Sequence, residues 1–146
     1  MKNILVAIDF SDVTQQVVTQ GMLLARAFAC RLWLIHIAAP DPDFVGYSTG
    51  PQFRRDLRAE TLRDEHKYLQ DQADELRKQG IDVTTLLIQG ETIETILQEA
   101  LKLRADIIVI GSHGHGALYK TFVGSVSEGI IRRASCPVTI VPVQTS

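Results

Sequence analysis

The stretch Ile107-Ile108-Val109-Ile110-Gly111-Ser112-His113-Gly114, followed after nine residues by Gly124-Ser125-Val126-Ser127, decides how the rest of the chain is read. Four consecutive aliphatic, β-branched residues show neither a polar side nor a helical period. Such a run suits a strand buried on both faces, as in a parallel sheet covered by helices. It stops at a glycine, and after Gly124-Ser125 a helical pattern runs over Val126 to Ala134. A strand, a glycine-bearing connection and a helix are the building parts of an α/β fold.

The same grammar repeats on either side. Upstream, Ile4 to Ile8 is a strand ending at Asp9, and a helical pattern follows from Asp12 to Ala29. Val17, Gly21, Leu24, Ala25 and Phe28 share one face of that helix, and Ser11 is its expected N-cap. Leu32 to Ile37 form the second strand. A connection rich in breakers (Pro40, Pro42, Gly46, Gly50, Pro51) leads to a long polar helix from Phe53 to Gln79, whose apolar stripe is Leu62, Leu69, Ala73 and Leu76. Arg77 and Lys78 suit its negative C-terminal end, and Gly80 ends it. Val83 to Ile88 is the third strand, and Thr92 to Leu103 a helix with Ile93, Ile96, Leu97, Ala100 and Leu101 on one face. Downstream of Pro137, Val138 to Val143 is the last strand. Right-handed crossovers then predict an α/β, doubly wound five-stranded parallel sheet with helices on both faces. The order 3-2-1-4-5 makes strands one and four neighbours, within a single domain over residues 1–146.

Ligands of open α/β sheets bind beyond the carboxyl ends of the strands, at a switch in strand order. Asp9 and Ser11, the segment Ile37 to Pro40, and Gly111 to Gly114 occupy such ends. Glycines allow close approach of a ligand to the backbone, and free N–H groups at a helix start bind phosphate oxygens. The hydroxyls of Ser125 and Ser127 can add hydrogen bonds. Each of these residues also has a purely architectural reading. Gly114 and Gly116 can simply shape a turn. Ser125-Val126-Ser127-Glu128 has the form of a capping box, which would satisfy Ser125 within its own helix. Asp9 either meets ribose or a metal–phosphate group, or caps the first helix together with Ser11. There is no GxxxxGK[ST] and no GxGxxG after strand one, so neither a P-loop nor a dinucleotide fingerprint is present. His113 and His115 lack a neighbouring acidic or cysteine ligand, so the histidines suit a place beside a phosphate, or in solvent, better than a metal centre.

These residues make the chain resemble the universal stress protein family along essentially its whole length. The resemblance starts with Ile4-Leu5-Val6-Ala7-Ile8-Asp9-Phe10-Ser11 and continues through Gly90 and Ala105 to Gly114. It closes with Gly124 to Ser127 and Cys136 to Pro142. The ATP-binding branch of that family carries Gly-two-Gly-nine-Gly followed by Ser or Thr, matched here by Gly111, Gly114, Gly124 and Ser125. The resemblance implies ATP as ligand, with Mg2+ as its companion. It implies Asp9 at the ribose or the phosphate–metal end, and Ala7 and Ile37 lining adenine. Gly111, Gly114, Gly124, Ser125, Val126 and Ser127 would hold ribose and phosphates. It also implies a homodimer through the last strand. The segments 40–51 and 115–123 vary in the family, and no role is carried to them. Lys120 in the second is either a phosphate contact or a solvated lysine.

Composition narrows the function classes. The chain has 146 residues, 45% hydrophobic and 22% charged, with a net charge of −2. That balance suits a globular domain and gives no broad attraction to nucleic acid or anionic membrane. No apolar run approaches the length of a membrane span, and Met1 to Asn3 leads straight into the first strand, so a cytoplasmic location is expected. The two cysteines, Cys30 and Cys136, read as thiols of a reducing compartment. Phosphoryl transfer needs a metal clamp, cationic stabilisation and an oriented nucleophile. His113, His115 and Lys120 do not make that set, so a nucleotide-dependent regulatory module is expected rather than a metabolic enzyme. A slow ATPase or phosphotransferase, or a ligand-free dimeric scaffold, is the alternative.

Overall fold

The computed structural model describes residues 1–40, 51–112 and 124–142. Strands β1 (Asn3–Ala7), β2 (Arg31–Ala38), β3 (Val83–Gln89), β4 (Ile107–Gly111) and β5 (Val138–Val141) alternate with helices α1 (Thr14–Phe28), α2 (Pro51–Lys78), α3 (Thr92–Lys102) and α4 (Ser125–Arg133). All strand pairs are parallel and the order is β3-β2-β1-β4-β5, as expected from the sequence. Element boundaries move by only a residue or two. The expected Val143 end of β5, the 41–50 part of the breaker-rich connection, and His113, Gly114 and Lys120 lie outside the described residues.

Burial explains the continuous apolar strands. Alternate residues Ile4, Val6, Leu32, Leu34 and Val109 face a core completed by Val17 and Val18 of α1 and Leu69, Ala73 and Leu76 of α2. Leu5, Ile35, Ile108 and Ile110 face the opposite core, completed by Ile96 and Ala100 of α3 and Ile130 of α4. A period of two with both phases apolar is what two covered faces require.

Three sequence assignments to the core need correction. Phe28 is 52% exposed and Leu101 66% exposed. Both stand in the last turns of their helices. Leu62 is only half-buried, and among the described residues the buried ones of α2 are Leu69, Ala73 and Leu76 in its C-terminal half. The N-terminal half reaches the carboxyl ends of the strands and is tied there by polar contacts.

Helix ends are closed by backbone geometry. At Gly80 (φ 83°) the N–H of Ile81 bonds to Leu76 and that of Gly80 to Arg77, a Schellman motif with Ile81 packed in the core beside Leu76. Ala29 and Arg104, both at φ 52°, close α1 and α3 in the same left-handed conformation without being glycine.

The edge opposite the strands' carboxyl ends is held by Asp106. Its Oδ2 accepts the N–H of Lys2 at 2.7 Å and of Asn3 at 2.9 Å, anchoring the start of the central strand. The Asn3 and then the Lys2 bond hold the Asp106 carboxyl below its ordinary value of 3.8. A depressed folded value means stability that is present above the unfolded value and lost as pH falls through the folded one. Asp106→Asn is therefore expected to lower the unfolding temperature at neutral pH. The gap from the parent should close on acidification below about pH 4. Thermal melts at pH 7 and pH 3 check this, and an equal gap at both would show that the charge contributes nothing. Both thiols, Cys30 and Cys136, are free and are pushed up from their ordinary value mainly by burial.

Candidate functional site

β1 and β4 lie side by side in the sheet, and their carboxyl ends carry the residues that the sequence singled out. At the end of β4, the carbonyl of Gly111 accepts the Ser127 hydroxyl at 2.6 Å, and the carbonyl of Ser112 accepts the N–H of Gly124 at 2.5 Å. These two bonds fasten the start of α4 to the tip of the strand. The first intrahelical bond of α4 runs from Glu128 N–H to the Gly124 carbonyl. The N–H groups of Ser125, Val126 and Ser127 therefore have no partner among the described residues, and Ser125 and Val126 are exposed. Unpaired donors at a positive helix end can bind an anion.

The capping box, the architectural reading of Ser125, does not form. Ser125 is already the first helical residue, Gly124 is the N-cap, and no side chain caps the helix. The Glu128 carboxylate instead holds Arg132 at 2.9 Å. Ser127 is also not a free hydroxyl, being buried and committed to Gly111. Its backbone N–H remains its contribution to these donors. By contrast, α3 is capped by the Glu91 side chain, which accepts from Ile93 and Glu94.

At the end of β1, Asp9 Oδ1 accepts the Ser11 N–H at 3.0 Å, closing an Asx turn. Its other oxygen has no hydrogen bond among the described residues. The expected N-cap role of Ser11 is not realised. Val13 is the N-cap, without a side-chain bond, and the Ser11 hydroxyl is buried with no partner. Ser11 helps through its carbonyl, which accepts from Thr14 N–H. Phe10, between Asp9 and Ser11, has φ 63°. A non-glycine residue held there carries roughly 1–2 kcal/mol of strain.

Ala7 and Ile37 both pack toward the α3/α4 side of the sheet. They sit on neighbouring strands, with Ala7 in register with Ile35 and Ile37 one pleat beyond it. This is the same side as α4. Sequence reasoning missed the layer behind them. His36 is buried on the other face and its ring stacks on Phe10 at 4.1 Å. Glu65 of α2 reaches His36, and Arg58 of α2 donates to the Ala39 carbonyl at the end of β2. The signal for His36 is weak in the sequence, since one histidine in an aliphatic strand could face either side.

A parallel α/β sheet with a glycine-led helix start beside a central-strand aspartate is the place where open α/β sheets take their ligands. The family model described as the universal stress protein family matches residues 1–142, and the chain belongs to that family. A Thermus aquaticus relative, the universal stress protein in the QAH/OAS sulfhydrylase 3' region, is 34% identical over 96% of this chain and 98% of its own length. Protein MJ0577 of Methanocaldococcus jannaschii has a solved structure that superposes with a TM-score of 0.84 at 25% identity, covering 99% of this chain and 98% of that one. The same fold occurs in an Archaeoglobus fulgidus universal stress protein solved with dAMP (TM-score 0.69, 21% identity, 96% of this chain and 97% of that one).

Proposed function

We propose that this chain binds an adenine nucleotide, ATP in the first place, and acts as a nucleotide-dependent regulatory or stress-response module. The observation that carries the reading is the set of unpaired N–H groups at Ser125, Val126 and Ser127, tied to β4 and adjacent in topology to Asp9. Phosphate oxygens satisfy such donors, with the helix dipole in their favour. Adenine then lies toward Ala7 and Ile37, and ribose and phosphates toward Gly111, His113, Gly114, Gly124 and Ser125. The family and the dAMP-bound fold neighbour support adenine as the base.

Asp9 offers one carboxylate oxygen, which suits a Mg2+ ion that draws its other ligands from phosphates and water. No group of three His, Cys, Asp or Glu is gathered for a metal among the described residues, so the ion would be held jointly with the nucleotide. β5 ends the sheet as an edge with half-buried Val138, Thr139 and Ile140. Pairing of this strand with a second copy would cover an apolar edge, and a homodimer through β5 is part of the proposal. No described helix is long and apolar enough to cross a membrane.

Protein purified without added nucleotide is expected to release an adenine nucleotide on denaturation, or to bind ATP with Mg2+ by calorimetry once stripped. Release of ADP with phosphate on incubation would move the reading toward a slow ATPase. Neither release nor calorimetric binding of any adenine nucleotide would overturn it.

A further inference from the structure

We infer that His36 is a positioning residue for the nucleotide site, holding Asp9 in place through Phe10 and Ile8. The inference rests on the proposed nucleotide reading and names a part of the site behind the ligand-facing residues. His36 lies on β2 and is buried. Its Nδ1 is 2.8 Å from the carbonyl of Ile8, the residue between Ala7 and Asp9. A carbonyl only accepts, so Nδ1 carries the proton and donates. This bond fixes the peptide immediately before Asp9.

On the far side of Asp9, Phe10 is kept in the left-handed region at φ 63°. Bulky residues persist there only when their surroundings over-determine them. The surroundings are two rings. His36 stacks on Phe10 at 4.1 Å and 27°, and Tyr68 of α2 lies tilted against it at 4.5 Å. The other edge of the imidazole faces Glu65 of α2, whose Oε2 lies 3.5 Å from Nε2. One side chain thus braces both peptides that flank Asp9. The Asx turn from Asp9 to Ser11 completes the constraint. Asp9 is aimed by an assembly from β2 and α2, with His36 buried, Phe10 and Glu65 half-buried and Tyr68 exposed, on the other face of the sheet from Ala7 and Ile37.

A double-mutant cycle tests this, with ATP and Mg2+ titrated by calorimetry into stripped protein. His36→Phe keeps an aromatic ring but removes the donor to Ile8. Asp9→Asn keeps the turn acceptor but removes the charge. Each single change is expected to weaken binding about tenfold, and the double mutant to be little worse than the weaker single mutant. Thermal melts confirm that each variant is folded. Should His36→Phe not fold, Phe10→Leu replaces it in the cycle, because it retains apolar volume and loses the stack. Additive losses, or unchanged affinity in a folded His36→Phe or Phe10→Leu protein, would overturn the positioning role while leaving nucleotide binding intact. Absence of ATP binding by the parent protein would instead overturn the nucleotide reading, and this inference with it.

Discussion

Gly21→Val is expected to destabilise the protein by about 3 kcal/mol or more. A Cβ built at Gly21 would stand 2.5 Å from Val6 Cγ2 and 3.4 Å from Leu32 Cδ1. Val6 is fully buried in the central strand and Leu32 in its neighbour, so neither side chain has solvent to move into. The backbone of α1 would have to lift from the sheet, opening gaps around Val17 and Ala25. Because a domain of this size is stable by only about 5–15 kcal/mol, much of the margin disappears. Gly21→Ala is the sharper test of sign. In an exposed helix, Gly→Ala gains about 1 kcal/mol. Here overpacking of about 1–3 kcal/mol opposes that gain, so the net change should be destabilising. Val6→Ala, which removes the clashing methyl groups, should recover part of the loss when combined with Gly21→Ala. Urea denaturation of the two singles and the double gives the coupling. A stabilised Gly21→Ala protein would mean that α1 packs loosely on Val6 and Leu32.

Gly21 also marks what the sequence could and could not convey. Its place on the apolar face of α1 was legible, because Val17, Gly21 and Ala25 repeat every four residues and the helix has to bury that stripe. Phe28 continued the same stripe and still ended up exposed, because periodicity alone does not say how much of a stripe the sheet covers. Strand order was legible for a related reason. Runs such as Ile107 to Ile110 have no polar phase, which demands cover on both faces, and right-handed crossovers then leave few arrangements. All the helix stops were legible to within a residue or two, but only Gly80 announced its left-handed closure by its residue type. Ala29 and Arg104 adopt the same geometry because tertiary packing imposes it. At the candidate site, Asp9 and the glycine-led start of α4 were legible as chain-end features. The choice between capping box and open donors was not, because both use the same Ser-x-x-Glu spacing. Only the direction of Glu128, toward Arg132 and away from its own N-cap, separates them. His36 was hidden because its role depends on α2, which brings Glu65 to it and Tyr68 to its stacking partner Phe10 from distant positions along the chain.

Gly124→Val is expected to leave the fold intact and to weaken ATP binding at least about 100-fold. Gly124 has φ −72° and ψ 166°, an extended conformation open to any L-residue, so valine brings no backbone strain. The glycine is therefore not explained by its dihedral angles. Its N–H bond to Ser112 and its carbonyl bond from Glu128 can both persist in the variant. Loss of stability should stay near 1 kcal/mol, the difference between a tolerated and a poor N-cap. What valine adds is a branched side chain at the entrance to the Ser125, Val126 and Ser127 N–H groups. A phosphate needs to come within hydrogen-bond distance of several of these donors together, and a γ-methyl at the N-cap excludes it from that volume. Calorimetry with ATP and Mg2+, alongside thermal melts, separates the two effects. If the glycine serves only the turn, valine should shift the melt and leave the affinity alone. If it serves the ligand, the melt should hardly move and the affinity should collapse. The second pattern follows from the dihedral angles together with the unpaired donors. A folded Gly124→Val protein with parental affinity would place the phosphates away from α4.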